Sequence, residues 1–172
     1  GRGDQYLSDT MKILIFGLPG SGKTSFVNTL LSRNMAAVRF INADDIRKET
    51  DDWDFSREGR ERQAERMYKE ACKLEEKNIP VLVDFICPYD KYRKNYDVTI
   101  WMDTVEKGNY EDTLAEFEIP TDYTERISGF NYSHRDQLNL IQKKYLPHFQ
   151  KYSNVEFKID LGSLYLAGIE LL

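Results

Sequence analysis

Residues Met11 to Thr24 constrain this chain more than any other stretch. Lys12-Ile13-Leu14-Ile15-Phe16 is a short apolar run with β-branched residues, the pattern of a buried strand. Gly17-Leu18-Pro19-Gly20-Ser21-Gly22-Lys23-Thr24 follows at once and fits G-x-x-x-x-G-K-[ST], the phosphate-binding loop. Phe26, Val27, Leu30 and Leu31 then recur at helical spacing, so a helix opens inside the motif. Glycines at 17, 20 and 22 remove Cβ atoms and let several N–H groups converge on one anion. The helix adds a positive end, equivalent to roughly half a charge. The expectation is that Gly17, Gly20, Ser21, Gly22, Lys23, Thr24 and Ser25 hold the phosphates of ATP, a substrate. Lys23 then reaches the β- and γ-phosphates and the Thr24 hydroxyl ligates Mg²⁺.

A chain of 172 residues suits one domain with a full core. Its net charge of −5 argues against duplex nucleic acid as an obligatory partner, though a local basic groove is compatible with it. Cys72 and Cys87 form no spacing pattern and read as reduced thiols of a cytoplasmic protein. No apolar run is long enough to span a membrane, and the N-terminus lacks the apolar stretch of a signal peptide. Gly1 to Thr10 is polar, precedes a methionine and reads as a leader or tag, with Arg2-Gly3-Asp4 a chance tripeptide. The domain proper then runs from 11 to 172.

Beyond the first helix, Ala36 to Ile41 reads as a second strand running into Asn42-Ala43-Asp44-Asp45-Ile46-Arg47. Acids and an arginine at a strand's carboxyl end lie where open α/β sheets bind ligands, and Asp44 or Asp45 also suits a helix cap. Ser56 starts a long helix to about Lys77, with Ala64, Met67, Tyr68, Ala71 and Leu74 as its apolar stripe. Most of its charges read as a solvated face. Arg60 and Arg66 stand apart, because the first turns face the expected site. Val81 to Ile86 is a third strand carrying Asp84, a candidate metal-side acid. Val98 to Asp103 is a fourth, whose Asp103 reads as a cap or turn residue. Glu106 to Phe130 reads as irregular, with a short helix near Tyr110 to Phe117. Ser133 to Tyr145 reads as a helix with Leu138, Ile141 and Tyr145 inward, and Val155 to Ile159 as a final edge strand. Leu161 to Leu172 is an apolar tail, either a docked helix or a partner surface, which would admit a homodimer. His134 and His148 have no Cys or His at ligand spacing, so no zinc site is expected. Strands alternating with helices after a phosphate loop predict an α/β fold, one domain with a mostly parallel sheet and helices on both faces.

Together these motifs resemble the adenylylsulfate kinase (APS kinase) family over roughly Met11 to Arg93. Asn42-Ala43-Asp44-Asp45-Ile46-Arg47 is similar to that family's Asp-Gly-Asp-Asn-[Ile/Leu]-Arg, and Phe55-Ser56 with Arg60 to its Phe-Ser-x-x-Asp-Arg. Phe85-Ile86-Cys87-Pro88-Tyr89, with Arg93 downstream, is similar to its Phe-Ile-Ser-Pro-Tyr. The resemblance implies transfer of the γ-phosphoryl of MgATP to the 3′-hydroxyl of adenylylsulfate. Lys23, Asp44 and Arg60 would be catalytic, with Asp44 the acid at the acceptor hydroxyl. Arg47, Phe55, Ile86, Cys87 and Arg93 would join Asp44 and Arg60 around the acceptor, and Thr24 and Asp84 would serve the metal.

The chain also departs from the family. Asn42 replaces an Asp, Gly59 the Asp before Arg60, Gln63 an Asn and Cys87 a Ser. The family's Lys-Gly-x-Tyr lid survives only superficially as Lys107-Gly108-Asn109-Tyr110, so cations for the phosphoryl group must come from Lys23, Arg60, Arg93, Lys107 or Arg126. This shortening is more like the APS-kinase-like proteins of viral genomes acting in a host cytoplasm. It leaves open a kinase of another nucleoside, nucleotide or modified nucleobase hydroxyl, and a nucleotide-binding module without transferase activity.

Overall fold

The computed structural model describes residues 11–31, 38–105, 111–129, 136–137, 139–141 and 143–145. Its elements are β1 (Lys12–Phe16), α1 (Lys23–Leu31), β2 (Arg39–Asn42), α2 (Ala43–Thr50), α3 (Arg57–Glu76), β3 (Val81–Phe85), α4 (Asp90–Arg93), β4 (Val98–Asp103), α5 (Glu111–Glu116) and β5 (Glu125–Ser128). They build a five-stranded sheet in the order β2-β3-β1-β4-β5. Every pairing is parallel.

The register explains why β1 is apolar from Ile13 to Phe16. It sits between β3 and β4, pairing Leu14 with Val83 on one side and with Thr99 on the other. Both of its faces are covered, as parallel sheets require. Ile13 and Ile15 point into a core with Phe26, Val27, Leu30 and Leu31 of α1, joined by Val98, Ile100, Met102, Ile127, Ile141 and Tyr145. Leu14 and Phe16 point the other way, into a core with Ala64, Met67 and Ala71 of α3. The alternation of strand side chains thus assigns α1 and α3 to opposite faces.

Several local details differ from expectation. The cap of α2 is Asn42, whose side chain accepts from the Asp44 backbone N–H, so Asp44 and Asp45 fall in the first turn instead. That placement frees both carboxylates from capping. In α3 the expected cap holds, with Ser56 Oγ accepting from Gly59 N. The irregular acidic stretch contains β5, a parallel edge strand in which Ile127 alone is buried. The helix around Ile141 and Tyr145 is present, and both side chains are buried. The expected strand 155–159, the tail 161–172, the leader 1–10, residues 36 and 37, Leu138, His134, His148 and Lys107 lie outside the described residues. Among the described residues no helix is long and apolar enough to cross a membrane.

Candidate active site

The carboxyl ends of β1, β2, β3 and β4 lie along one edge of the sheet, so the segments that follow them are brought together. Gly20 (φ 80°) and Gly22 (φ 92°) adopt the left-handed backbone that turns the loop after β1. Gly17 meets the neighbouring strand so closely that a Cβ there would stand 2.6 Å from the Met102 carbonyl oxygen. Thr104 Oγ1 donates to the Ser21 carbonyl at 2.7 Å and fastens the loop to the end of β4. Ser21 itself is buried, whereas Thr24 and Ser25 are exposed in the first turn of α1.

Lys23 folds over this loop. Its Nζ donates to the carbonyls of Gly17 and Leu18, both at 2.9 Å. Burial lowers its pKa to about 8, against the pull of the nearby Asp84 carboxylate. Asp84, the fourth residue of β3, is 2 % exposed and accepts from Thr24 Oγ1 at 2.9 Å. Burial pushes its pKa up, opposed by Lys23 and by hydrogen bonds from Thr24 and Asn42, with the charge of Asp44 adding to the rise. Asp84 and Thr24 offer hard oxygen atoms of the kind Mg²⁺ prefers. Among the described residues no cluster of three or more His, Cys, Asp or Glu side chains could hold a metal by itself. That pair therefore suits an ion that arrives with nucleotide phosphates rather than one caged by protein.

A cavity of about 90 Å³ opens at the same sheet edge, lined by Ala43, Asp44, Arg47, Phe55, Arg60, Gln63, Phe85, Ile86, Cys87 and Pro88. The structure therefore gathers Asp44, Arg47, Phe55, Arg60, Ile86 and Cys87 from four segments around one space. Phe55 is the exposed lip of the cavity, with the Arg47 guanidinium 4.4 Å and the Arg60 guanidinium 5.5 Å from its ring centroid. Both arginines are buried and tied to backbone. Arg47 donates to the Asp52 carbonyl at 2.7 Å, and Arg60 Nε to the Phe55 carbonyl at 2.8 Å. Burial also lowers the Arg47 pKa. Arg60 continues to α5, where its NH2 group donates to Thr113 Oγ1 at 3.1 Å and meets Asp112 at 3.3 Å.

Three expectations need correction. Arg93 does not line the cavity. It lies 1 % exposed between the rings of Phe16 and Phe117, and its guanidinium bonds the carbonyls of Cys87, Pro88 and Glu118. Its donors hold the loop after β3 in place. Arg66 is not among the residues that line the cavity and pairs with Asp52 at 2.6 Å. Arg126 is engaged with Asp103 across β4 and β5 and stacks on Trp101, so Asp103 is an ion-pair partner rather than a cap. Cys87 contributes its backbone shape more than its thiol: φ is 45°, and complete burial pushes the thiol pKa up.

Gln63 also lines the cavity, although by sequence it is only a departure from the family pattern. Its Nε2 donates to the Ala43 carbonyl at 2.9 Å, which fixes the amide's orientation, and its buried Oε1 has no hydrogen-bond partner among the described residues. Its spacing from Arg60, one helical turn on, was the available signal.

Residues 9–107 match the family model described as adenylylsulphate kinase. Comparison with curated proteins finds no match. Among solved structures, the chain is similar to the Mycobacterium tuberculosis APS kinase in complex with AMPPNP and APS. That match has a TM-score of 0.60 and 21% identity, over 77% of this chain and 95% of that one. It is also similar to a sugar kinase from a Janibacter species, with a TM-score of 0.59 and 13% identity over 83% and 97% of the two chains. Shikimate kinase from Aquifex aeolicus gives a TM-score of 0.52 and 17% identity over 80% and 97%. These likenesses establish the fold.

Proposed function

The chain belongs to the adenylylsulphate kinase family and is an ATP-dependent small-molecule kinase, and from that premise we propose that it phosphorylates the 3′-hydroxyl of adenylylsulfate. The observation that carries this reading is the meeting of Asp44, Arg47, Phe55 and Arg60 around one cavity, at the sheet edge that also carries the phosphate loop. The acceptor hydroxyl oxygen attacks the γ-phosphorus, and the bond from that phosphorus to the β,γ-bridging oxygen breaks to release ADP. The hydroxyl proton passes to the Asp44 carboxylate. Lys23 leaves its own loop carbonyls and meets the β- and γ-phosphates. Thr24 and Asp84 would hold Mg²⁺, which would neutralise phosphate charge.

At about 90 Å³ the cavity is smaller than the roughly 300–1,000 Å³ of a typical ligand site, so it receives only the reacting end of the acceptor. The rest of the molecule extends over the exposed Phe55 ring. An aromatic face backed by two guanidinium groups suits a nucleobase beside an anion.

The test is MgATP consumption by the purified protein, alone, with adenylylsulfate, and with a panel of nucleosides and nucleotides. ADP release stimulated by adenylylsulfate is the expected result. Stimulation by a different member of the panel keeps the mechanism and replaces the acceptor. The buried Gln63 Oε1, without a partner among the described residues, asks for an N–H or O–H donor on the acceptor, which adenylylsulfate and the nucleosides of the panel alike supply.

A further inference from the structure

We infer that Gly59 is a positioning residue for acceptor binding: the missing side chain there lets the Asp52–Phe55 loop seat against α3 and present Phe55 between Arg47 and Arg60. The inference rests on the kinase reading only for its effect on substrate. The seating itself is a property of the free protein.

The geometry is unambiguous in sign. A Cβ at position 59 would lie 2.2 Å from the Asp54 carbonyl oxygen and 2.6 Å from the Asp54 carboxyl carbon. The nearer of these atoms is backbone, so a side-chain rotation cannot relieve the overlap. No left-handed backbone conformation is recorded at Gly59, which lies in the first turn of α3. Its need for glycine is therefore purely a matter of space. The loop comes this close because it is pulled from several sides. Arg47 bonds the carbonyls of Asp52 and Asp54, at 2.7 and 3.3 Å, and Arg60 bonds the Phe55 carbonyl. From outside, Arg62 bonds the carboxylates of Asp52 and Asp54, the latter at 2.8 Å.

The same arginines form the cavity wall. If the loop lifts, Arg47 and Arg60 lose the carbonyls that aim them, and Phe55 leaves the lip. The departure at Gly59 and the loop's closure are thus one feature, and a residue with any side chain at 59 requires a different acceptor loop.

Trp53 supplies a direct readout, because it is 47 % exposed within the loop while Trp101 is 8 % exposed. Gly59→Ala places a better helix former in α3, so the helix itself is not weakened. The expected result has two parts. Iodide quenches Trp53 fluorescence more strongly in the ligand-free variant, and KM for adenylylsulfate rises about tenfold to a hundredfold while KM for ATP is unchanged. Unchanged quenching overturns the inference whatever the activity, and needs no substrate, so it is independent of the acceptor's identity. Altered quenching with an unchanged acceptor KM, or with both KM values raised alike, overturns the positioning role. Arg62→Gln, which removes the one arginine on the Asp54 carboxylate among the described residues as well as one of two on Asp52, loosens the loop from its exposed side and serves if Gly59→Ala fails to fold. Greater quenching and a raised acceptor KM support the inference, and no change in either overturns it. Glu58→Ala, an exposed neighbour, is the control and leaves both readouts unchanged.

Discussion

The two halves of the active edge are held by different means. The phosphate loop is local: strand, glycine turn and helix come from one unbroken stretch, and Lys23 rests on carbonyls only five and six residues before it. The acceptor side is assembled from a distance. Asp44 comes from α2, Phe55 from a loop, Arg60 from α3 and Ile86 from the end of β3, while Arg60 reaches on to Thr113 on α5. A site built across segments is where a family can change acceptors by moving one loop.

The largest expected effect tests the local half. Lys23→Ala should lower turnover by about 10³-fold or more, because no other described cation sits on the phosphate loop. Turnover retained within tenfold would show that the loop is not the phosphoryl site. Next comes the junction of the halves. Asp44→Asn should lower kcat by roughly 10²–10⁴ with ATP affinity nearly intact, as for loss of a general base. Full kcat in that variant would remove Asp44 from proton transfer. In the distant half, Phe55→Ala should raise the acceptor KM about 5- to 150-fold, the equivalent of ~1–3 kcal/mol of base stacking, and leave KM for ATP alone. Equal changes in both constants would place Phe55 outside the acceptor site.

The local half also carries a pH signature. The Lys23 pKa lies near 8 in the free protein, below its ordinary value of 10.5. Below about pH 8 the ammonium is charged and ATP affinity should be flat. Above it, binding must take up a proton, so Kd for ATP should rise up to about tenfold per pH unit. For folding the sign is opposite. The unfolded chain holds that proton up to about 10.5, so Lys23's contribution to stability rises between the two values. Calorimetric titration of ATP from pH 7 to 9.5 decides the point, and a flat Kd would mean that Lys23 is charged throughout.

The same division governs how much could be read from the sequence. The motif from Gly17 to Thr24, the apolar runs of β1, β3 and β4 and the Ser56 cap of α3 are short-range patterns, and the structure has them as expected. β5 escaped because Glu-Arg-Ile-Ser at a sheet edge buries one side chain, which is no alternation at all. Arg93 is expected at the acceptor because the family pattern carries an arginine downstream of Tyr89, and only the fold supplies the aromatic rings and carbonyls that enclose it. The close packing of Asp54 on Gly59 is likewise invisible until both segments are placed.

Arg60 and Arg66 sharpen this contrast. Both lie on α3 and both are arginines, yet six residues at about 100° each turn Arg66 some 240° around the helix from Arg60. Arg60 is 4 % exposed, with donors bound to the Phe55 carbonyl and to Thr113. Arg66 is a third exposed and pairs with Asp52, which Arg62 also holds. Removing one of two arginines from a carboxylate that keeps the other should cost little. Arg66→Gln should therefore shift the chemical-denaturation midpoint slightly and leave kcat and both KM values within about threefold, the smallest effect in the series. An acceptor KM raised as far as in Phe55→Ala would mean that the outer clamp on Asp52, and not the buried arginine pair, decides where the loop sits.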